Sequence, residues 1–197
     1  MSSQEKSNFF SNVKGFPPII DGRINIEEFL EASSGLVSIV ERLGKVYAPV
    51  KYDMQGNIDK IKKCYEIERK SCLLELMHTE TSKGQTVANE GLLWLNRALL
   101  LFEILFQQII SCLQTKHYDA SMKDLLTFAY EGSIKRYHSW LISRMSPSLP
   151  QILKSLEVDQ DLVAFESQLT TLNVKLHIIR CKIDDYFKDN NLFGENP

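Results

Sequence analysis

The chain has 197 residues, of which 44% are hydrophobic and 24% charged, and its formal net charge at pH 7 is −2. This length suffices for one domain with a sizeable core, and the composition shows no break that would indicate a second domain. The nearly balanced charge provides no general attraction for nucleic acids or anionic membranes, so we expect no nucleic-acid partner, and any membrane contact must be local.

The cysteines are far apart in the sequence and form no CxxC or Cys/His pair with the spacing of metal ligands. They are Cys64, Cys72, Cys112 and Cys181. We therefore expect reduced thiols, no metal site and no cofactor.

The N-terminal segment MSSQEKSNFFSNVKG lacks the basic and then apolar stretches of a secretory signal. Residues 1–24 are polar, contain two consecutive prolines and show no sustained periodicity. We expect a cytoplasmic protein with a flexible lead-in over residues 1–24 and a single domain over residues 25–197.

Helical periodicity begins after this lead-in. Asn25 is a typical N-cap for a first helix that starts at Ile26, and Gly44 is typical of its end. Pro49 predicts the start of a second helix, because proline is tolerated in a first helical turn. The pattern from Glu68 to Ser82 predicts a third helix.

The segment from Thr86 to Gln114 predicts a long helix that is apolar nearly all round. Its polar residues form one narrow stripe and comprise Asn89, Asn96, Glu103, Gln107 and Gln114. Polar and charged residues interrupt every window of about 20 residues, the length needed to span a membrane. We therefore predict a central core helix in a soluble protein.

The remaining segments are also helical in pattern. Residues Ser121 to Met145 predict one long helix or two consecutive helices, which the following prolines end. A short segment, Gln151 to Val158, leads to a last helix that Asp159 or Asp161 caps and that runs to about Asn190. No strand pattern and no internal repeat competes, so the predicted class is all-α.

Three polar residues share one face of the second helix. Asp53, Asn57 and Lys60 lie at positions i, i+4 and i+7, within an arc of roughly 60° beside the apolar stripe. A carboxylate, an amide and an ammonium group suit a ligand with several hydroxyls. The alternative is an ion pair of Asp53 with Lys60 that flanks a core helix. Gly56, on the same helix, indicates close packing there, since it costs about 1 kcal/mol relative to alanine.

Two tryptophans and one histidine are further candidates. Trp94 lies opposite the polar stripe of the central helix, so its ring is predicted to face inward, either as core or as part of a site. His138 lies on an apolar stripe, where a histidine is commonly a satisfied core residue. Trp140 projects with Arg136 and Arg144 from a polar face, which fits either partial shielding by a neighbour or contact with a membrane surface.

The segments APVKYDMQGNIDKI, LLWLNRALL and KRYHSW, in this order and at intervals of about 40 residues, resemble the glycolipid transfer protein family. The resemblance implies a two-layer, all-helical fold with an apolar lipid-binding tunnel under a headgroup site. The implied headgroup residues are Asp53, Asn57, Lys60, Trp94 and His138. The implied tunnel-lining residues are Pro49, Val50, Leu101, Leu105 and Ile134. The implied membrane-docking residues are Trp140, Leu141 and Arg144.

The resemblance also implies individual roles. The trio on the second helix would form hydrogen bonds with the sugar, and Asp53 would also accept one from the ceramide amide N–H. Trp94 would stack under the sugar ring, and His138 would donate to the amide carbonyl. The C-terminal segment DDYFKDNNLFGENP differs from the family's terminal aromatic segment, which leaves the role of its aromatic residues open.

The residue types themselves favour a sugar headgroup. A phosphate needs several Lys or Arg donors, whereas Asn57 and Trp94 suit a neutral ring rich in hydroxyls and leave Lys60 and Arg97 as cations. We predict a non-enzymatic, monomeric carrier that transfers a glycosphingolipid between membranes and contacts them transiently. Open alternatives are a carrier of ceramide-1-phosphate or another phosphosphingolipid, a lipid sensor, and a helical protein-interaction module. A hydrolase with Asp53 and His138 as its acid–base pair is disfavoured, because no motif activates a Ser or Cys nucleophile.

Overall fold

The computed structural model describes residues 12–118, 124, 149–158 and 161–192. The helices found in these ranges are α1 (Ile26–Arg42), α2 (Ala48–Glu68), α3 (Leu73–Ser82), α4 (Val87–Gln114), α5 (Leu149–Ser155) and α6 (Leu162–Asp189). One 3-10 turn, Lys45–Tyr47, joins α1 to α2. Extended pairing within the described residues is limited to two isolated bridges, Ile20 with Arg23 and Asn25 with Cys72. The predicted all-α class is confirmed.

The predicted ends of α1 and the start of α2 are confirmed. Asn25 is the N-cap of α1, and its Oδ1 accepts a hydrogen bond from the backbone N–H of Glu28 at 3.1 Å. The chain leaves α1 through Gly44, whose φ of 107° lies in the region that favours glycine. Pro49 occupies the first turn of α2.

The third helix is shorter than predicted. α2 continues to Glu68, and α3 begins only at Leu73. Between them the chain is tied to the segment before α1, because Ile26 N–H donates to the Ser71 carbonyl at 3.1 Å and Leu73 N–H donates to the Ile24 carbonyl at 2.9 Å. These long-range hydrogen bonds replace the helical ones that the local pattern predicted.

The later part of the chain agrees with the predictions where it is described. Asp161 caps α6, with its Oδ1 accepting from Ala164 N–H at 2.8 Å, and the helix ends at Asp189. Asp159 lies outside the described residues, as does nearly all of the predicted helix over residues 121–145. The link after it forms a short helix, α5, with Pro150 in its first turn, where its missing N–H removes no helical hydrogen bond.

Part of the predicted flexible lead-in belongs to the core. Phe16 and Ile24 are 1% and 0% exposed, and the Phe16 ring packs 6.0 Å from that of Phe29 on α1. Burying one such side chain stabilises a protein by about 1.5–3 kcal/mol, which is enough to fix an irregular segment. Phe16 and Ile24 therefore belong to the core although they lie within the predicted lead-in, while residues 1–11 lie outside the described ranges.

α4 is the central helix, as predicted, and packs against α2 and α6. Its polar stripe faces α6. Asn96 Nδ2 donates to Asp184 Oδ1 at 2.6 Å, Glu103 Oε1 lies 2.7 Å from His177 Nδ1, and Arg180 pairs with both Glu103 and Asp184. Because partner numbers on α6 fall as numbers on α4 rise, the two helices run antiparallel.

Among the described helices, α4 is the one long and apolar enough to cross a membrane by length and composition alone. The core helix of a water-soluble protein has the same composition. Half of the most apolar window of α4 is buried inside the protein, and its polar stripe is bonded to α6. We therefore interpret α4 as a core helix.

The four cysteines are free, as expected.

Candidate functional site

The trio on α2 forms a short hydrogen-bonded chain. Asn57 is only 4% exposed; its Nδ2 donates to Asp53 Oδ2 at 3.5 Å, and its Oδ1 accepts from Lys60 Nζ at 3.3 Å. The carboxylate and the ammonium group are exposed, and they are linked through the amide rather than by a direct ion pair. Both hydrogen bonds are longer than the usual 2.9–3.0 Å, so ligand hydroxyls could replace them at little cost.

The trio is held against α4 by a close approach at Gly91. A Cβ at this position would lie 3.0 Å from the backbone carbonyl oxygen of Asn57 and 3.1 Å from Cβ of Lys60. Among the described residues, a Cβ at Gly56 would meet no atom of a neighbouring element within 4 Å, so the prediction of close packing at Gly56 was wrong. Gly91 is the one glycine in α4 just as Gly56 is the one glycine in α2, so the sequence alone does not show which of the two marks the close approach.

Trp94 follows Gly91 by one helical turn but is only half-buried. The ring is therefore neither fully in the core nor in open solvent, while Leu101, seven residues further along the same helix face, is 8% exposed; the inward orientation of the ring stays a prediction. Arg97 Cζ lies 4.6 Å from the centroid of the Trp94 ring, a cation–π distance. Since Arg97 covers one face of the ring, a sugar could stack only on the other face.

The predicted tunnel residues differ in burial. Leu101 and Leu105 on α4 are 8% and 4% exposed and belong to the continuous apolar core, against which Val50 packs while half-buried. Pro49 is exposed, so it could lie only at an opening of such a tunnel. The other predicted residues lie outside the described ranges and remain predictions: His138, Ile134, Trp140, Leu141 and Arg144.

Sequence reasoning missed the carboxylate that supports α4. Glu80 is 3% exposed and accepts hydrogen bonds from the backbone N–H groups of Ala88 and Asn89, at 2.7 and 2.8 Å, and from Asn89 Nδ2 at 2.9 Å. An ionised carboxylate is favoured at a helix N-terminus, where the N–H groups lack helical partners. Glu80 thus anchors the helix end that precedes Gly91.

Two aromatic residues of the C-terminal segment, Tyr186 and Phe187, contact the rest of the protein. The Tyr186 hydroxyl on α6 donates to Asn89 Oδ1 at 3.2 Å, so this residue adds a second support to the start of α4. Phe187 is 1% exposed and lies in the core. Phe193 lies outside the described residues.

A separate cleft of about 410 Å³ lies between α3, the residues before α1 and the end of α6. None of the described residues predicted to bind a headgroup lines it, and Arg23 and Glu75 in its wall already form an ion pair with each other. The candidate site is therefore the trio on α2 together with Gly91 and Trp94 on α4.

Replacing Gly91 with alanine tests whether the close approach shapes this site. Two effects on stability oppose each other: alanine favours the helix by about 1 kcal/mol, and overpacking costs about 1–3 kcal/mol. We expect the melting temperature to change by only a few degrees. The glycolipid transfer that the family resemblance implies should fall about threefold to tenfold, because α2 must move by a few tenths of an ångström relative to Trp94.

The matched control is Gly56→Ala, because there the added Cβ meets no atom within 4 Å. This variant should gain about 1 kcal/mol of stability from helix propensity and match the wild type in the same transfer assay. Equal transfer by both variants would show that the spacing of α2 and α4 does not matter for binding.

The sequence of this chain matches a known protein family. The sequence profile of the glycolipid transfer protein family matches residues 24–150, a range that includes the trio, Trp94, His138 and Trp140. A glycolipid transfer protein of Danio rerio is 31% identical over 136 residues, which cover 64% of this chain and 64% of the relative. The matched region thus spans slightly less than two thirds of that relative's own length.

Solved structures share the fold. FAPP2, a GLTP-fold protein that selects simple glycosphingolipids, gives a TM-score of 0.83 at 22% identity and covers 96% of this chain and 99% of that one. Human ceramide-1-phosphate transfer protein, in complex with 12:0 ceramide-1-phosphate, gives a TM-score of 0.74 at 15% identity and covers 94% and 95%. These similarities confirm the predicted fold, and the two proteins show that it accepts two kinds of headgroup.

Proposed function

Because this chain belongs to the glycolipid transfer protein family, we propose that it is a non-enzymatic carrier that binds a glycosphingolipid and transfers it between membranes. The observation that carries the proposal is the buried Asn57 amide, which joins Asp53 to Lys60 on a segment whose backbone lies against Gly91 of α4, one turn before Trp94. This arrangement offers acceptors, donors and an aromatic ring to one ligand. His138, assigned by resemblance, would add a donor to the ceramide amide carbonyl.

The polar groups of the site favour a sugar over a phosphate. A phosphate is best bound by several Arg or Lys donors. On α2 and α4 the site has Lys60 and Arg97, of which Arg97 already lies over the Trp94 ring. A neutral sugar has hydroxyls for Asp53 and Asn57 and an apolar ring face for the indole.

The energetics of a lipid carrier fit this division of roles. Moving about 16 methylenes from water into an apolar tunnel is worth on the order of 13 kcal/mol, whereas a neutral hydrogen bond contributes about 1 kcal/mol net. The lipid comes from a bilayer, however, which is already apolar. The contribution of the chains therefore nearly cancels, and contacts with the headgroup decide which lipid is taken.

The direct test compares two lipids that share one ceramide. Vesicles containing glucosylceramide or ceramide-1-phosphate of equal chain length serve as donors, and the rate of transfer to acceptor vesicles is measured. We expect glucosylceramide to move at least about tenfold faster. Mass spectrometry of lipid that copurifies from cells would check the natural ligand.

Three results would contradict the proposal. Faster transfer of ceramide-1-phosphate would favour the phosphosphingolipid alternative, for which the presence of Lys60 and Arg97 is the supporting observation. Failure to bind either lipid or any vesicle would favour a protein-interaction module. Turnover of the glycolipid would revive the hydrolase hypothesis.

The carrier would work as a monomer in the cytoplasm and dock on membranes through Trp140, with Leu141 and Arg144 beside it. An indole prefers the headgroup level of a bilayer. One indole plus one or two cations should contribute an interfacial binding free energy of only about 1–3 kcal/mol. Trp140→Ala should weaken partitioning to vesicles and slow transfer, while binding of a short-chain, water-dispersed glycolipid stays unchanged. Unaltered partitioning would argue against docking through Trp140.

A further inference from the structure

The hydroxyl of Tyr47 is buried without a hydrogen-bond partner among residues 12–118, 124, 149–158 and 161–192. Tyr47 is 5% exposed and precedes α2 directly, two residues before Pro49 and three before Val50. Its side chain belongs to the same continuous apolar core as Leu101 and Leu105. A polar atom thus lies at the end of α2 from which the proposed tunnel positions begin.

A buried hydroxyl without a hydrogen-bond partner is unusual in a protein core. More than about 90% of buried polar groups in proteins have a partner, and phenylalanine would fill nearly the same volume without leaving a donor unpaired. Burial raises the pKa of Tyr47 to about 12. The phenol therefore stays protonated at physiological pH and can act as a hydrogen-bond donor to a group that enters from outside the protein.

We propose that the Tyr47 hydroxyl recognises a hydroxyl on the ceramide part of the ligand, so that the protein selects hydroxylated glycosphingolipids. This inference rests on the proposed function. Six residues separate Tyr47 from Asp53, which corresponds to about 9 Å along the axis of α2. With the amide N–H at Asp53, as the resemblance implies, position 47 lies nearer to the first carbons of the chains than to their ends. The group in reach is a hydroxyl on C2 of the acyl chain or on C4 of the sphingoid base.

The test measures transfer of three glucosylceramides of equal chain length: one without an additional hydroxyl, one with a 2-hydroxyacyl chain and one with a 4-hydroxylated base. The wild type should prefer one hydroxylated lipid over the plain lipid by about tenfold, equivalent to about 1.4 kcal/mol. The hydroxylated lipid that is preferred identifies which ceramide hydroxyl Tyr47 recognises. Tyr47→Phe should reduce the ratio to about one without slowing transfer of the plain lipid.

Ser33→Ala is the matched control. Ser33 is 0% exposed, and its hydroxyl likewise has no partner within the described ranges, but it lies on α1 nine residues before the helix ends at Arg42, about 13 Å along the axis. Its removal should leave the preference for the hydroxylated lipid as in the wild type.

Thermal unfolding without lipid provides an independent readout. If the phenol lacks a protein partner, Tyr47→Phe should keep or raise the melting temperature, by up to about 4 °C. A fall would reveal a partner elsewhere in the chain and overturn the inference. If the ratio of hydroxylated to plain lipid transfer were the same in the wild type and Tyr47→Phe, the inference would also be overturned, and the proposed carrier function would remain intact. Failure of the wild type to transfer any of the three lipids would overturn both.

Discussion

Replacing Trp94 with alanine is expected to reduce glycolipid transfer at least about thirtyfold, equivalent to roughly 2 kcal/mol of lost binding. The variant loses both the aromatic face proposed to stack on the sugar and the ring over which Arg97 lies, 4.6 Å from its centroid. Transfer between vesicles and binding of a water-dispersed glycolipid should fall together. Circular dichroism should remain helical, because the ring is only half-buried and its loss costs less than the 3–5 kcal/mol of a fully buried tryptophan.

The control for this prediction is Trp94→Phe. Phenylalanine keeps a flat apolar face on the same helical position and should recover a large part of the transfer rate. A folded Trp94→Ala protein that transfers lipid at the wild-type rate would remove Trp94 from the site and leave it a role in packing alone.

Replacing Glu80 with alanine is expected to lower the free energy of unfolding by about 3–5 kcal/mol. The substitution leaves the backbone N–H groups of Ala88 and Asn89, and one N–H of the Asn89 amide, without the acceptor they share in the core. Leaving buried donors unpaired and removing a charge that complements the helix dipole both destabilise the fold. Chemical denaturation monitored by circular dichroism measures this effect.

Glu90→Ala is the matched control, because Glu90 lies in the same first turn of α4 but is exposed. Its carboxylate accepts one hydrogen bond from the Thr86 hydroxyl at 3.0 Å, and its loss should change stability by no more than about 0.5 kcal/mol. The loss of stability in Glu80→Gln should lie between those of Glu80→Ala and Glu90→Ala. The amide keeps one acceptor oxygen, but its NH₂ group faces backbone N–H donors. If Glu80→Ala were as stable as Glu90→Ala, the capping role of Glu80 would be refuted.

Sequence reasoning was most accurate where the determining interactions are local. Asn25 was identified as a cap, and Asp161 as one of two candidate caps, because the acceptor and the N–H that it satisfies are three residues apart. The trio on α2 was found because helical geometry alone places residues at i, i+4 and i+7 on one face, and the hydrogen bonds through Asn57 follow that order. These features require no knowledge of what packs against the helix.

The errors involve contacts with distant parts of the chain. The partners of the polar stripe of α4 were not predicted, because they lie on α6, about 80 residues further along. Glycine at position 56 costs helix propensity just as at position 91, but only at 91 does a neighbouring backbone lie 3.0 Å from an added Cβ. Which glycine marks the close approach depends on the packing of α2 against α4, and no local pattern contains that information.

The sequence by itself determined the helical class, most helix ends and the candidate ligand-binding groups on α2, because helix periodicity and capping act over a few residues. Only the tertiary structure decided that Phe16 is core, that Glu80 supports α4 and that the hydroxyl of Tyr47 is buried without a partner in the described ranges. Burial and hydrogen-bond satisfaction are properties of a completed three-dimensional neighbourhood. The same residue types, in the same local sequence, would be exposed and hydrated if the neighbouring helices packed elsewhere.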